Sequence, residues 1–161
     1  MGSALLRGIL KSKLSSPDKI TVVDVVPNRL EELRSLHGVR VSVEPGAYVG
    51  GADAIILAVK PQALHEVVES IRNPLTAHQL VISILAGVAS TYIRDLLGMG
   101  NPVIRVMPNI GATVDAAASA LAGCEPSTEE HFQLVEAILG AVGEVVRVDE
   151  EHLDAVTGLS G

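Results

Sequence analysis

The chain has 161 residues, of which 48% are hydrophobic, 19% are charged and 2% are aromatic, and its formal net charge is −7. This length predicts one domain with a sizeable core, which must be aliphatic because aromatic residues are so few. Two tyrosines and one phenylalanine cannot build a stacking platform for single-stranded nucleic acid, and the negative charge argues against a phosphate-backbone binder.

The cysteine and histidine content and the lengths of the apolar runs narrow the class of protein further. Cys124 is the single cysteine, which excludes an internal disulfide, fits a reducing compartment, and is interpreted as a small buried hydrophobic residue. The five histidines lack partners at ligand spacing, so we predict no metal site. No apolar run reaches the roughly 18 residues of a membrane span. We expect a cytoplasmic protein with neither a membrane nor a nucleic-acid partner.

Charge is distributed unevenly along the chain. Residues 1–40 carry seven basic and four acidic groups, whereas residues 122–161 carry nine acidic groups and one arginine. The basic excess suits a polyanionic small molecule near the N-terminal end. Ordinary solvated helix faces are the alternative explanation.

Strands and helices alternate over residues 1–107. Helical spacing of leucines predicts that the chain begins in a helix, and the β-branched run 20–26 predicts a strand buried on both faces. Pro27 and Asn28 lead into an amphipathic helix that Gly38 ends. The further predicted elements are a strand at 39–43, a short helix, a strand at 54–59, a helix beginning at Pro61, a strand at 80–85, a helix near 90–97 and a strand at 102–107.

The pattern changes after residue 108. Residues 118–123 and 144–148 are predicted strands that flank a helix opened by a capping box over residues 127–130, and a further helix starts near the end. These strands are expected to add an antiparallel edge. Strands alternating with helices indicate right-handed crossovers and a parallel sheet. The predicted fold class is therefore α/β, with a doubly wound, mostly parallel sheet.

Ligands of such sheets bind beyond the carboxyl ends of the strands. The residues at these ends are expected to line one crevice, and they are Met1 to Ser3, Asp24 with Asn28 and Arg29, Ala58 to Pro61, Ala86 with Gly87, and Met107 to Asn109.

Several of these residues suit a dinucleotide, each with a simpler alternative. Gly2 at a helix start would let a pyrophosphate approach free N–H groups, or it merely follows a start codon. Asp24 favours the ribose of NAD, whereas Arg29 suits a 2′-phosphate; an ordinary strand end and helix entry explain both equally well. Lys60 could serve the ribose or nicotinamide end, or extend into water. Asn109 could orient a carboxamide, or close a Pro-Asn turn.

Five segments in register resemble one family. MGSALLRGIL, AVKP (58–61), SILAGV (83–88), IRVMPN (104–109) and LDAVTGLSG (153–161) look like pyrroline-5-carboxylate reductase, and the resemblance covers essentially the whole chain. It implies a Rossmann-like domain that uses NADP(H) or NAD(H) to reduce 1-pyrroline-5-carboxylate to L-proline, in proline biosynthesis. The cofactor carries the hydride chemistry, so the protein residues are expected to position it, and no catalytic residue is assigned within this chain.

The resemblance also implies site residues. The cofactor-binding positions that it implies are Gly2, Asn28, Arg29, Ala58, Val59, Lys60, Pro61, Ile84, Leu85, Ala86 and Asn109, and the strand-end position adds Asp24, which argues against NADP. Ser160 and Gly161 begin the loop that in the family holds the substrate carboxylate.

The chain departs from the family in three respects. Ile110 and Gly111 stand where the family has Thr-Pro. The first strand with its paired glycines is missing, and so is the helical dimerisation domain. We therefore expect an NAD(P)-binding domain at 1–148 and, at 149–161, the start of a connection to that helical domain, with a homo-oligomer only if that domain is present. The alternatives are a non-catalytic nucleotide-binding remnant or interaction module, and a related imine or hydroxyacid reductase.

Overall fold

The computed structural model describes residues 1–114 and 116–160. The helices are α1 (Gly2–Lys11), α2 (Pro27–His37), α3 (Gly46–Val49), α4 (Leu64–Arg72), α5 (Ser90–Leu97), α6 (Glu129–Gly140) and α7 (Leu153–Ser160). The strands are β1 (Thr21–Val23), β2 (Arg40–Ser42), β3 (Ala54–Leu57), β4 (Leu80–Ser83), β5 (Val103–Pro108), β6 (Ala117–Cys124) and β7 (Gly143–Arg147). Short 3-10 turns lie at Pro17–Lys19, Pro61–Ala63, Ile110–Val114 and Glu150–His152.

The larger sheet has five strands in the order β3-β4-β5-β6-β7. β3, β4 and β5 are parallel, β6 is antiparallel to β5, and β7 is parallel to β6. Helices cover both faces: Leu80 and Ile82 of β4 pack with residues of α1 and α6, whereas Val81 packs with α4 and α5. The predicted α/β class, the doubly wound parallel sheet and its antiparallel edge are confirmed.

The prediction of a β1 strand buried on both faces is wrong. The strand is limited to three residues, and Val23 and Val25 are 40% and 85% exposed. Val22 and Val41 pack under Leu6 of α1 and Leu33 of α2, so only that face of the small β1–β2 sheet is covered. An apolar run indicates burial on both faces only where other elements pack on both, and here the second face is open.

Strand pairing does not join the two sheets in the described residues. In a doubly wound sheet of order 3-2-1-4-5-6 the first strand lies between the strands that correspond here to β1 and β3. Among the described residues β1 pairs only with β2, and β3 pairs only with β4. Helix α1 nevertheless joins the two sheets, because Leu5 packs against the larger one and Leu6 against the smaller one.

Local signals set most element boundaries. Pro27 occupies the first position of α2, Pro61 occupies the first position of the 3-10 turn that leads into α4, and Gly38 ends α2 with a φ of 69°. The predicted capping box is displaced by one residue: Thr128 is the N-cap, and its backbone N–H donates to Nδ1 of His131. A histidine ring nitrogen here replaces the glutamate oxygen that the Ser127 pattern predicted.

Two further observations concern exposure. Cys124 is only partly buried, at the edge of the core formed by α4 and α5, so it is not the fully buried residue predicted. None of the helices formed by the described residues combines the length and apolar character needed to cross a bilayer.

Candidate functional site

The first turn of α1 lies between the carboxyl ends of β1 and β3. A Cβ atom placed on Gly2 would lie 3.3 Å from Cβ of Ala58, just beyond β3. The hydroxyl of Ser3 accepts a 2.7 Å hydrogen bond from Nη2 of Arg29, near the start of α2. The structure therefore brings together three predicted positions from separate segments, Gly2, Arg29 and Ala58.

Glycine at position 2 lets the start of α1 lie close to the segment beyond β3. The first N–H groups of a helix have no intrahelical partner, and they carry the positive end of the helix dipole. A Cβ on Gly2 would occupy the space beside Ala58. The terminus of this ten-residue helix can thus receive the negatively charged pyrophosphate of a dinucleotide.

Asp24 and Arg29 differ in what their side chains contact. Oδ1 of Asp24 accepts the backbone N–H of Val26 at 2.9 Å, which closes a turn immediately after β1. The Arg29 side chain is 48% exposed, and its Nη1 lies 3.7 Å from a carboxylate oxygen of Glu32. Asn28 is exposed on the same first turn of α2. One oxygen of Asp24 is thus engaged by its own backbone, while the Arg29 side chain is half exposed beside α1.

The segment that follows β3 exposes its backbone and one positively charged side chain, that of Lys60. Ala58 and Lys60 are exposed and Val59 is partly buried. Lys60 is held extended before Pro61, and its carbonyl accepts the N–H of Ala63 at 2.9 Å. Lys60 therefore projects from the carboxyl end of β3, as its position before a proline predicted.

The turn after β4 lies beside β3. The N–H of Ile84 donates to the carbonyl of Leu57 at 3.2 Å, so the two strand ends are adjacent. Ala86 is exposed, but the side chain of Leu85 is 1% exposed within the core. Leu85 can therefore contribute only its backbone to a ligand site, because its side chain is committed to packing.

Asn109 closes the turn beyond β5. Its Oδ1 accepts the N–H groups of Gly111 and Ala118, each at 3.1 Å. A Cβ on Gly111 would lie 2.9 Å from that oxygen and 2.3 Å from the carbonyl oxygen of Ala116, so this turn requires glycine. Adjacent strands lie about 4.8 Å apart, which puts the ends of β3 and β5 roughly 10 Å from one another. Because its oxygen accepts two backbone N–H groups, the Asn109 amide has a structural role in this turn. Its contact with a nicotinamide stays a prediction.

The predicted substrate-loop residues fall at the limit of the structure. Gly161 lies outside the described residues, and so does the side chain of Ser160. Asp149, Glu151 and His152 offer ligand atoms within 4.8 Å of one another, but all three are exposed and we assign no metal to them.

Sequence reasoning missed a buried charge beside α7. The Arg105 side chain is 4% exposed, its Nη2 lies 2.5 Å from Oδ1 of Asp154, and its Nη1 lies 3.8 Å from Oε1 of Glu150. The signal was one arginine inside the apolar run PVIRVM. Its partners, more than forty residues away, leave no local pattern.

Three of the ionisable groups with shifted pKa values lie together at a different place, between α6 and β7. Arg147 forms salt bridges of 2.6 Å with Glu129 and 2.5 Å with Glu136, and its guanidinium carbon lies 4.8 Å from the Phe132 ring centroid. Hydrogen bonding to Arg147 lowers the pKa of both glutamates, and the same bonds raise the pKa of the arginine. These groups tie α6 to β7 and lie on neither of the turns beyond β3 and β5.

Comparisons with known proteins identify the family and the fold. A family model described as NADP oxidoreductase, coenzyme F420-dependent, matches residues 1–87. A curated pyrroline-5-carboxylate reductase of Methanosarcina acetivorans is 45% identical over 161 residues, which is 100% of this chain and 60% of that protein. The predicted resemblance to this family is thereby confirmed.

Solved structures share the fold. A pyrroline-5-carboxylate reductase from Coxiella burnetii superposes with a TM-score of 0.94 at 29% identity, over 99% of this chain and 60% of that one. A Plasmodium falciparum pyrroline carboxylate reductase with NADP bound gives a TM-score of 0.87 at 22% identity, over 100% of this chain and 58% of that one. The chain thus spans about three fifths of the relatives that it matches.

Proposed function

The chain belongs to the family described as NADP oxidoreductase, coenzyme F420-dependent, and we propose that it is the cofactor-binding part of a reductase that converts 1-pyrroline-5-carboxylate to L-proline. The 45% identity to the Methanosarcina reductase along the entire chain supports this substrate. The observation that carries the proposal is the meeting of α1, Arg29 and Ala58 at the carboxyl ends of β1 and β3.

The residues present fit a dinucleotide. The α1 terminus beside Gly2 binds the pyrophosphate through backbone N–H groups. Lys60 and the exposed backbone after β3 lie toward the ribose and nicotinamide, and the turns at Ala86 and Asn109 extend this surface across β4 and β5. When bound, the reduced nicotinamide supplies the hydride that reduces the C=N bond of the substrate.

The contacts of Asp24 and Arg29 favour NADPH over NADH. Oδ1 of Asp24 already accepts the N–H of Val26, which leaves fewer of its lone pairs for a ribose hydroxyl than a free carboxylate would offer. The exposed guanidinium of Arg29 beside Ser3 is suited to bidentate hydrogen bonds with a 2′-phosphate.

The proposal extends to domain organisation. Residues 1–148 form the dinucleotide-binding domain, and residues 149–161 begin a connection to a helical dimerisation domain. The backbone at Ser160 and Gly161 then holds the substrate carboxylate, and the complete enzyme is a homo-oligomer. The single cysteine favours the cytoplasm as its compartment.

Cofactor titrations of the chain test the binding part. Arg29→Ala is expected to raise the Kd for NADPH at least tenfold, about the effect of losing charge-assisted hydrogen bonds, while the Kd for NADH changes little. Arg34→Ala is the matched control, because Arg34 lies on the same helix and pairs with Glu31 at the exposed surface. Equal losses for both cofactors, or equal losses in both variants, would contradict the assignment of Arg29 to the 2′-phosphate.

Turnover separates the enzyme from a non-catalytic nucleotide-binding module. The 161-residue chain is expected to bind NADPH without oxidising it in the presence of 1-pyrroline-5-carboxylate. A protein extended by an N-terminal strand and the helical domain is expected to turn over. Cofactor binding by the extended protein without turnover would favour the non-catalytic alternative.

A further inference from the structure

The turn at residues 109–114, which follows β5, lies against the helix whose terminus is assigned to the pyrophosphate. Ala112 of this turn is 0% exposed, and it belongs to one core with Leu5 of α1. Further along α1, Nη2 of Arg7 donates a 2.8 Å hydrogen bond to the backbone carbonyl of Thr113. An apolar contact and a hydrogen bond from a cation therefore join α1 to this turn.

The bond from Arg7 connects two elements that are distant in the sequence. Its acceptor lies 106 residues further along the chain, so the bond does not merely pair neighbours on one helix. The acceptor is also a backbone carbonyl, which stays in place with the turn and neither titrates nor changes rotamer. A charged guanidinium donor strengthens such a bond. Arg7 thus ties α1 to the backbone of the turn itself.

Internal bonds of the turn extend this tie to Asn109. The carbonyl of Asn109 accepts the N–H of Ala112 at 3.2 Å. Its Oδ1 accepts the N–H groups of Gly111 and Ala118, each at 3.1 Å. The side-chain amide is therefore fixed to the same backbone that Arg7 holds. These bonds use the oxygen of the amide, whereas its nitrogen is the atom that can donate to a carboxamide.

One helix thus holds both ends of the candidate site. Gly2 begins α1 beside the position assigned to the pyrophosphate, and Arg7 lies five residues later, about 7.5 Å along the helix axis. Attachment of the turn at Arg7 therefore sets the distance between the α1 terminus and Asn109. A site whose two ends already have the separation of the ligand groups avoids the cost of ordering them on binding.

We propose that Arg7 is a positioning residue, which holds the turn at 109–114 on α1 and thereby places the Asn109 amide for the nicotinamide end of the cofactor. Arg7 acts through the turn and not by contact with the ligand. The identity of that ligand rests on the proposed function, whereas the attachment of the turn to α1 does not.

Hydrogen exchange of the 161-residue chain tests the attachment. Arg7→Met keeps a long unbranched side chain but removes every donor. The amides of Gly111 and Ala118 are expected to exchange about three- to tenfold faster in Arg7→Met, because the turn opens more often without this bond, while the amides of β4 are unchanged. Arg34→Met is the matched control, since Arg34 pairs with Glu31 on the exposed surface of α2. Unchanged exchange at Gly111 and Ala118 in Arg7→Met, or an equal acceleration in Arg34→Met, would overturn the proposal.

The affinities for two ligands test the consequence for the site. 2′-Phospho-ADP-ribose is NADPH without its nicotinamide, so it can occupy the α1 terminus without reaching Asn109. Arg7→Met is expected to raise the Kd for NADPH about three- to tenfold and to leave the Kd for 2′-phospho-ADP-ribose unchanged. Arg7→Lys keeps a donor and is expected to recover part of the NADPH affinity.

The outcomes separate this proposal from the proposed function. An unchanged Kd for NADPH in Arg7→Met would overturn the positioning role, and so would equal losses for both ligands, which would indicate an effect on α1 as a whole. If the parent chain binds neither ligand, the proposed function fails, and the exchange experiment still decides whether Arg7 attaches the turn to α1.

Discussion

Replacing Gln79 with alanine is expected to destabilise the chain without affecting the cofactor site. Gln79 is 2% exposed, and its Nε2 donates to the carbonyls of Val49 at 2.6 Å and Ala52 at 2.5 Å. Its Oε1 accepts the backbone N–H of Thr76 at 2.7 Å. These bonds join the loops that lead into β3 and β4, at the amino ends of the strands.

The magnitude follows from the three bonds that are lost. Each net hydrogen bond contributes about 0.5–1.5 kcal/mol, and a backbone group left buried without a partner adds to the loss, so Gln79→Ala is expected to cost about 2–4 kcal/mol. For a domain of this size each kcal/mol lowers Tm by about 2–4 °C, which gives a decrease of about 5–15 °C.

Thermal unfolding followed by circular dichroism measures this decrease. Gln133→Ala is the matched control, because Gln133 is exposed on α6 and donates one 3.4 Å bond to Glu129, so its Tm is expected to stay within about 2 °C of the parent chain. The Kd for NADPH is expected to be the same in all three proteins at 15 °C. A Tm for Gln79→Ala as high as that of Gln133→Ala would refute the reasoning, and so would a weakened NADPH affinity in a folded Gln79→Ala chain.

Two further predictions concern the β6–β7 edge. A Cβ on Gly143 would lie 2.1 Å from the carbonyl oxygen of Ala117. Gly143→Ala is therefore expected to separate β6 from β7 and to accelerate amide hydrogen exchange in β7. Unaltered exchange in β7 would contradict this geometry. Because Arg147 lowers the pKa of Glu129 and Glu136, their contribution to stability is complete above the ordinary glutamate pKa of about 4.3 and is lost as pH falls through the lowered values. Urea unfolding of Arg147→Met should accordingly show a weaker acid dependence below about pH 4 than the parent chain, and identical pH profiles would exclude a role for this ion pair.

Local patterns were sufficient for most of the fold. Pro27, Gly38 and Pro61 act within a few residues of their own position, so the elements that they start or end were predicted correctly. The exposure of β1 was not predicted, because the burial of a strand depends on the elements that pack against it and not on its own valines. Arg105 shows the same limit, since a charge in an apolar run indicates a buried ion pair but cannot identify acceptors 45 and 49 residues further along the chain.

The positions of the candidate site residues along the strands were predictable from the sequence, but their side-chain contacts were not. The strand-end rule brought Gly2, Arg29 and Ala58 to one edge because parallel strands share a direction. It could not show that one oxygen of Asp24 is engaged by its own backbone, or that the Leu85 side chain lies in the core. Those outcomes depend on side-chain rotamers and on packing partners from distant segments.

The packing of α1 has a consequence for folding cooperativity. The small sheet and α2 share no strand pairing with the larger sheet in the described residues, and α1 connects them through adjacent leucines, Leu5 and Leu6. Such a connection defines two units that can open separately, with the β1–α2–β2 unit having the lower free energy of opening. A dinucleotide bound across the start of α1 contacts both units at once, so its binding energy is expected to merge two unfolding steps into one.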